Sequence, residues 1–157
     1  MSKYFLDTSA IVKRYHREDG SDFIDSLFAE AGAEFVISDI SIIEFYSALS
    51  LKVRAGVIDE ENFVSLRKFF SQEIKGGLFE VAEFTDSEKL EATKLLLKYA
   101  KKHSLKTLDA IQLSVAKSVY GSGVKAVVCA DEKFCKIITF EGFSVINPIT
   151  EGNVHKH

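Results

Sequence analysis

The sequence predicts a three-layer α/β/α domain, in which helices cover both faces of a central parallel sheet of four to five strands. Short apolar runs of strand length alternate with longer segments of helical period, and this alternation is typical of βαβ units. With 157 residues and a hydrophobic content of 46%, the chain can enclose one sizeable core. We therefore expect a single domain over residues 1–150, followed by a polar tail over residues 151–157.

Five apolar runs are interpreted as strands. The runs that begin at Tyr4, Phe35 and Ala126 are continuous enough to be buried on both faces of a parallel sheet, whereas the run at Phe79 is weaker. In chain order the predicted strands are Tyr4–Leu6, Phe35–Ile37, Phe79–Ala82, Ala126–Cys129 and Phe143–Ile146.

Two of the segments between these runs carry apolar residues at helical spacing. One series follows Asp59 and the other follows Ser87, and both residue types are favoured as N-caps. The two series are Phe63, Leu66, Phe70 and Ile74, and Leu90, Leu97 and Ala100.

A further predicted helix, from Ser41 to Ala55, is apolar on more than one face. One sheet face does not require so much apolar surface. This helix is therefore either a central core helix or a docking surface for a partner, and periodicity alone does not choose between them.

Composition excludes several classes of protein. The longest apolar stretches are far too short to cross a bilayer, and the N-terminus has no positive region followed by an apolar segment, so we expect a cytoplasmic protein. Cys129 and Cys135 have no His or Cys neighbours at zinc-ligand spacing, so we interpret them as reduced structural thiols.

Four acidic residues fall where they could meet at one edge of the predicted sheet. Asp7 directly follows the first strand, and Asp131 follows the strand that begins at Ala126. Glu44 and Asp109 lie in the first turns of predicted helices. Ligands of open parallel sheets bind outside the carboxyl ends of the strands, so we predict a site there.

Four ionised carboxylates at close range repel one another, so they need either raised pKa values or bound cations. Oxygen ligands without imidazole or thiolate select Mg²⁺ or Mn²⁺. Such ions suit phosphodiester hydrolysis, because one lowers the pKa of a bound water and a second neutralises the leaving oxygen. Removing four acidic charges from the formal net charge of −3 leaves +1, so the acidic total is no objection to an RNA substrate.

Each acid also has a purely structural explanation. Asp7 and Asp131 could be N-caps, and Asp109 could be a first-turn acid that complements the helix dipole. Ser41 and Glu44 fit the S-x-x-E capping box. The prediction of a metal site rests on the joint placement of the four acids.

Several segments, taken in order, resemble a known family. They are Phe5–Lys13, Glu44 with Ala48 and Leu49 following, Leu108–Leu113, Ala130–Phe134 and Gly142–Pro148. These segments look like the PIN domain, and specifically the VapC-type toxins of bacterial and archaeal toxin–antitoxin pairs. The resemblance spans nearly the whole chain, although residues 56–103 carry no motif. It implies a PIN-like fold and an endoribonuclease that cuts single-stranded or looped RNA and is inhibited by a small DNA-binding antitoxin.

The resemblance also implies roles for particular residues. Asp7, Asp109 and Asp131 match the metal-binding aspartates of the family, and Glu44 matches its acidic residue on the helix after the second strand. Ser9 matches a small polar residue that supports the site.

The chain departs from the family pattern at Cys129, where many relatives have Thr or Ser two residues before the last aspartate. A hydroxyl that would order the site is therefore missing or replaced by a neighbouring group.

Basic residues near the predicted site are candidate RNA contacts. Lys13, Arg14, Arg17 and Lys133 lie within a turn or two of the acids, so we expect them to contact phosphates. For the apolar helix from Ser41 to Ala55, the resemblance suggests antitoxin docking and homodimerisation.

Two alternatives from other classes remain open. The chain could be a phosphatase or phosphotransfer domain with Asp7 as the nucleophile, although such an enzyme would want a second aspartate where Ser9 stands. It could also be a catalytically silent PIN-like module that binds RNA or protein, in which the acids only cap helices.

Overall fold

The computed structural model of the protein describes residues 2–154, and the side chains of residues 2–151. Its centre is a five-stranded sheet in which every pair of neighbouring strands is parallel. The strand order is β3-β2-β1-β4-β5, so the first strand of the chain lies in the middle. The strands are β1 (Lys3–Leu6), β2 (Glu34–Ser38), β3 (Phe79–Ala82), β4 (Val124–Val128) and β5 (Val145–Ile146).

Eight helices connect and flank these strands in the described part of the chain. They are α1 (Thr8–Tyr15), α2 (Ser21–Phe28), α3 (Asp39–Arg54), α4 (Glu60–Lys75), α5 (Asp86–Tyr99), α6 (Thr107–Tyr120), α7 (Glu132–Phe140) and α8 (Pro148–Val154). The predicted α/β/α class and all five predicted strand positions are confirmed.

The central strand β1 is buried on both of its faces, as continuous apolar strands of parallel sheets are. Tyr4 and Leu6 pack into an apolar cluster with side chains of α1 to α4, whereas Phe5 packs on the other face with side chains of α5 to α7. Tyr4 pairs in register with Phe35 of β2 on one side and with Ala126 of β4 on the other. Helices therefore cover both faces of the sheet, as predicted.

The helix starts differ from the prediction at α5. Asp59 caps α4 as expected, accepting the Asn62 N–H at 2.7 Å. In contrast, α5 begins at Asp86, and its N-cap is Thr85 instead of Ser87, because Glu88 accepts the Thr85 N–H in a capping box.

The face of α5 that packs is also not the predicted one. Leu90 and Leu97 are 67% and 69% exposed, and the packed face of the helix is formed instead by Ala92, Leu95 and Tyr99. A leucine stripe marks one side of a helix, but the neighbouring helix α6 determines which side is covered.

Helix α3 also begins earlier than predicted. Ser38 is its N-cap and accepts the Ile40 N–H at 3.1 Å, so Ser41 lies within the first turns of the helix and does not cap it. Phe45 and Leu49 are fully buried, whereas Ile43 on another face is 67% exposed. The two apolar faces predicted for this helix are thus one face in the core and one at the surface.

The polar tail predicted from residue 151 onward begins inside a helix. Helix α8 runs from Pro148 to Val154 and packs against α2. Asn147 begins it, since its side chain accepts the Ile149 N–H at 3.0 Å, and Pro148 occupies the first helical position, where the missing N–H costs nothing. The first four residues of the predicted tail are therefore helical, and residues 155–157 lie outside the described range.

Two other expectations concern the chain as a whole. Cys129 and Cys135 are free thiols, and the first is fully buried. Within residues 2–154, no helix combines the length and the apolar character that crossing a membrane requires.

Candidate active site

The topology brings the four predicted acids to the same edge of the sheet. The Asp7 N–H donates to the Val128 carbonyl at 3.1 Å, and Leu6 pairs with Val128. Strands β1 and β4 therefore stay paired to their ends, directly before Asp7 and shortly before Asp131. Glu44 lies in the second turn of α3, which follows β2 directly. Asp109 lies in the first turn of α6, which runs back toward β4, so its start faces the carboxyl edge.

Asp7 is the most buried of the four, at 6% exposed. It is the N-cap of α1, and its Oδ1 accepts the Ala10 N–H at 3.1 Å and the Ser9 hydroxyl at 2.5 Å. The Ser9 oxygen in turn accepts the Ala130 N–H at 3.0 Å. Ser9 therefore joins the start of α1 to the loop that carries Asp131, which is the position expected of a supporting residue.

Burial dominates the electrostatics of Asp7. Loss of hydration raises the pKa of this carboxyl to about 6, and the charge of Asp109 acts in the same direction. Hydrogen bonds from the Ser9 hydroxyl and the Ala10 N–H oppose the increase without cancelling it. A buried carboxyl of this kind gains from a nearby cation.

The pKa of Asp109 depends on the other acids of the set. Burial raises its pKa, the N–H of Lys106 opposes that increase, and the charges of Asp131 and Glu44 add to it. Asp109 acts on Asp7 in turn. Its Oδ2 accepts the Lys106 N–H at 3.3 Å, so the first-turn structural role also holds.

Glu44 has no capping role. Ser38 caps α3, and Glu44 Oε1 accepts a hydrogen bond from Gln112 Nε2 at 2.7 Å. The capping-box interpretation of Ser41 and Glu44 is therefore wrong. The physical reason is that the Ser41 hydroxyl is fully buried and is used by Gln112, at 2.7 Å, instead of by the backbone of its own helix.

Asp131 is the exposed member of the set. It caps α7, since its Oδ1 accepts the Phe134 N–H at 3.0 Å. It also lines an open cavity of about 350 Å³ together with Ser104, Lys106, Glu132 and Lys133.

The charges of Asp131 and Glu44 contribute to the raised pKa of Asp109, but the four carboxylates do not converge on a single metal position. Among the residues that the structure describes, no three His, Cys, Asp or Glu side chains lie in an arrangement that could hold a metal ion. In donor chemistry the set fits a hard divalent cation, because all the donors are carboxylate oxygens and the pKa values of Asp7 and Asp109 are raised.

Cys129 stands two residues before Asp131, where the resemblance noted in the sequence led us to expect a hydroxyl. Its sulphur lies 3.6 Å from the Asp131 carbonyl, and the Cys135 thiol donates to the Cys129 carbonyl at 3.1 Å. The neighbouring Cys135 thiol, burial and the charge of Asp7 all raise the pKa of the Cys129 thiol. It therefore stays neutral, and it contacts the loop of Asp131 as a weak donor.

Three of the four predicted phosphate contacts are occupied by acidic partners. Lys13 is buried and pairs with Glu18 at 3.1 Å. Arg14 forms a two-pronged pair with Glu73, at 3.0 Å and 2.6 Å. Arg17 is exposed and pairs with Asp22 and Asp25, which lie on the nearby helix α2.

The prediction that these three residues bind phosphate is therefore unsupported. The partner of Arg14 comes from a segment 59 residues away, and proximity along the chain gives no sign of such a pairing. Lys133 differs, because it is exposed and lines the cavity beside Asp131.

Sequence reasoning missed Lys106, which lines the same cavity, and the hydrogen-bonded cluster of the buried Ser41 and Gln112 with the half-buried Thr8. A signal for Gln112 was present, since it stands three residues after Asp109 and therefore on the same side of α6.

Fold and site together define an α/β domain with an acidic edge on a parallel sheet. The PIN domain family model matches residues 4–138, and the chain belongs to this family. No curated protein matches the sequence.

The fold is similar to those of several solved structures at low sequence identity. One is VapC20 of Mycobacterium tuberculosis, described as a sarcin-ricin loop cleaving toxin, with 18% identity and a TM-score of 0.65 over 92% of this chain and 99% of that one. FitAcB from Neisseria gonorrhoeae matches with 20% identity and a TM-score of 0.64, covering 92% and 97%. VapBC2 from Rickettsia felis, bound to a promoter DNA fragment, matches with 18% identity and a TM-score of 0.60, covering 92% and 98%.

Proposed function

We propose that the protein is a Mg²⁺- or Mn²⁺-dependent endoribonuclease that cleaves RNA phosphodiester bonds with a metal-activated water. The observation that carries this proposal is the placement of Asp7, Glu44, Asp109 and Asp131 at the carboxyl edge of the parallel sheet, and the raised pKa values of Asp7 and Asp109 agree with it. Membership of the PIN domain family supports it. The same four carboxylates would hold the metal.

Asp7, Glu44, Asp109 and Asp131 would hold the divalent ion, which when bound would supply Lewis acidity for activating water and positive charge beside the leaving oxygen. Asp7 is held for this task by Ser9 and by the start of α1, so its position is fixed before any ligand binds. Lys106 and Lys133, which line the cavity beside Asp131, would hold a phosphate of the RNA strand.

We further propose that the protein is the cytoplasmic toxin of a toxin–antitoxin pair, inhibited by a small DNA-binding antitoxin. Two similar structures are a toxin and a complex bound to promoter DNA, which supports this assignment. The exposed apolar residues Ile43 and Leu51 of α3 offer a surface for the antitoxin or for a second copy of the chain in a homodimer.

The test compares two aspartates that both cap helices. Asp7→Asn retains a capping oxygen but loses the charge, so we expect the fold to persist and RNA cleavage to fall by at least about 100-fold. Asp59→Asn is the matched control, because Asp59 caps α4 in the same way and is not one of the four acids. Cleavage of structured RNA would be measured with purified protein in Mg²⁺, in Mn²⁺ and in EDTA.

The outcomes separate the proposal from the alternatives. Equal cleavage by Asp7→Asn and Asp59→Asn would overturn it. A wild-type protein that cuts no RNA with either metal would instead favour the silent binding module. Release of phosphate from a labelled monoester, lost in Asp7→Asn, would favour the phosphatase.

A further inference from the structure

The side chain of Gln112 connects three helices at the carboxyl edge of the sheet. Gln112 is only 4% exposed. Its Nε2 lies 2.7 Å from Glu44 Oε1, 2.7 Å from Ser41 Oγ and 3.4 Å from Thr8 Oγ1. The Thr8 hydroxyl also donates to Ser41 Oγ at 3.2 Å. One buried amide therefore links α1, α3 and α6 beside Glu44.

The orientation of this amide is fixed by charge. An ionised carboxylate only accepts hydrogen bonds, so an inverted amide would direct its carbonyl oxygen against Glu44. In the observed orientation, Gln112 Oε1 has no hydrogen-bond partner among the described residues. A buried carbonyl without a partner carries a desolvation penalty. The fold tolerates this penalty and keeps the N–H donors of Gln112 toward Glu44.

The contact restrains a side chain that would otherwise be mobile. Glu44 is half-buried in the second turn of α3, and in the described part of the chain Gln112 is its side-chain hydrogen-bond donor. Without that donor, the flexible Glu44 side chain would gain conformations directed at solvent. The Gln112 amide holds Glu44 Oε1 by this hydrogen bond and does not bond to Glu44 Oε2.

We propose that Gln112 is a positioning residue that holds the Glu44 carboxylate toward the other acids of the candidate site. This inference rests on the proposed function, because it assigns Gln112 a part in building that same site. Hydrogen bonds to metal ligands fix the orientation of those ligands, and their removal weakens metal affinity. Ser41 and Thr8 contribute by holding the amide from its other side.

The test replaces Gln112 with Met, which has a similar volume and shape but no N–H donor. Mn²⁺ binding to the full-length protein would be measured by titration at constant pH, and we expect an affinity about 10- to 100-fold weaker than that of the wild type. Ser114→Ala is the matched control. Ser114 is equally buried on α6, and among the described residues its hydroxyl bonds only to the Ile111 carbonyl. The Mn²⁺ affinity of this variant should therefore stay within about twofold of the wild-type value.

Two further variants make the result decisive. In a Glu44→Gln background, adding Gln112→Met should change Mn²⁺ affinity by less than about threefold, because the side chain that Gln112 positions has lost its charge. Gln112→Asn, which keeps an amide but shortens its reach, carries the same expectation as Gln112→Met should the latter fail to fold.

The failure of this inference differs from the failure of the proposed function. A wild-type protein that binds no Mn²⁺ would overturn the proposed metal site and the positioning role with it. Wild-type affinity in Gln112→Met, or an equal loss with and without the Glu44 charge, would overturn the positioning role alone.

Discussion

A carboxylate has two oxygens, and in Asp7 and Asp131 one of the two is committed to the backbone of a helix. Asp7 Oδ1 accepts the Ala10 N–H, and Asp131 Oδ1 accepts the Phe134 N–H. The capping interpretation and the metal-site interpretation of these residues are therefore compatible. Capping fixes the rotamer of the side chain, which is what a preorganised ligand needs.

The raised pKa of Asp7 makes protein stability depend on pH. The folded state keeps its proton up to about pH 6, whereas the unfolded chain loses it near the ordinary value of 3.8. Between these values the folded state binds more protons, so this group lowers stability as pH rises through the window.

Asp7→Asn removes that dependence. In EDTA, we expect its stability relative to wild type to be greater at pH 7 than at pH 4.5, by about 2 kcal/mol. Urea unfolding at the two pH values measures the difference, with Asp59→Asn as the control. An advantage that does not change with pH would contradict the raised pKa.

The basic residues near the site divide into structural and binding groups, and substitution separates them. Lys133→Ala should weaken binding of a single-stranded RNA severalfold and leave stability within about 0.5 kcal/mol, because the side chain is exposed. Arg14→Ala should leave RNA binding unchanged and lower the free energy of unfolding by about 2 kcal/mol, because it leaves the half-buried Glu73 without its partner. Fluorescence anisotropy and thermal melting would measure the two effects. Equal loss of RNA binding in both variants would contradict this division.

At the level of elements, the start of helix α3 shows that a local sequence pattern does not always predict the N-cap. Ser38 and Ser41 are both acceptable N-caps by residue type, and the S-x-x-E spacing favours Ser41. The structure uses Ser38, because the Ser41 hydroxyl is held by Gln112 from a position 71 residues away. A tertiary contact of that kind decides between two local options, and no window of sequence contains it.

A buried carboxylate joins α5, α6 and the end of α7. The Glu141 side chain is 7% exposed, and it pairs with Lys98 at 2.7 Å, with Lys117 at 2.9 Å and with the Tyr99 hydroxyl. Burial acts to raise the pKa of Glu141, but these three partners outweigh it and lower the pKa to about 2.

Glu141→Gln should therefore destabilise the protein by about 2 kcal/mol at pH 7. A lowered pKa stabilises the fold above the ordinary value of 4.5, and this contribution disappears as pH falls toward 2. The difference in unfolding free energy between variant and wild type should shrink over that range. Asp86→Asn, in an exposed pair with Lys89, is the control and should change little at any pH. A constant difference between pH 7 and pH 3 would be inconsistent with this account.

For the whole molecule, the order of strands decides where the acids meet. The connection from β1 leads to β2 on one side, while β4 lies on the other side of β1. Helices leave the two neighbouring strands β1 and β4 in different directions, which opens a crevice at their carboxyl ends. Asp7 and Asp131 follow these two strands.

Much of this arrangement follows from general rules applied to the sequence. Continuous apolar runs locate the buried strands, and the carboxyl-edge rule brings Asp7 and Asp131 together without knowledge of the strand order. Ion pairs such as Arg14 with Glu73, and the amide contacts of Gln112, join segments that only the finished fold brings close. Those contacts separate structural cations from candidate RNA ligands, and for that reason the separation was not predictable.

The pairing of β1 with β4 also constrains when the candidate site can exist during synthesis of the chain. Asp7 depends on the Val128 carbonyl beside it, and Ser9 depends on the Ala130 N–H, so each needs a residue that is synthesised 121 positions later. An emerging chain that carries α1 to α6 still lacks β4 and Asp131. If the four acids form a nuclease site, the ribosome must extend the chain through β4 and Asp131 before its product acquires that activity.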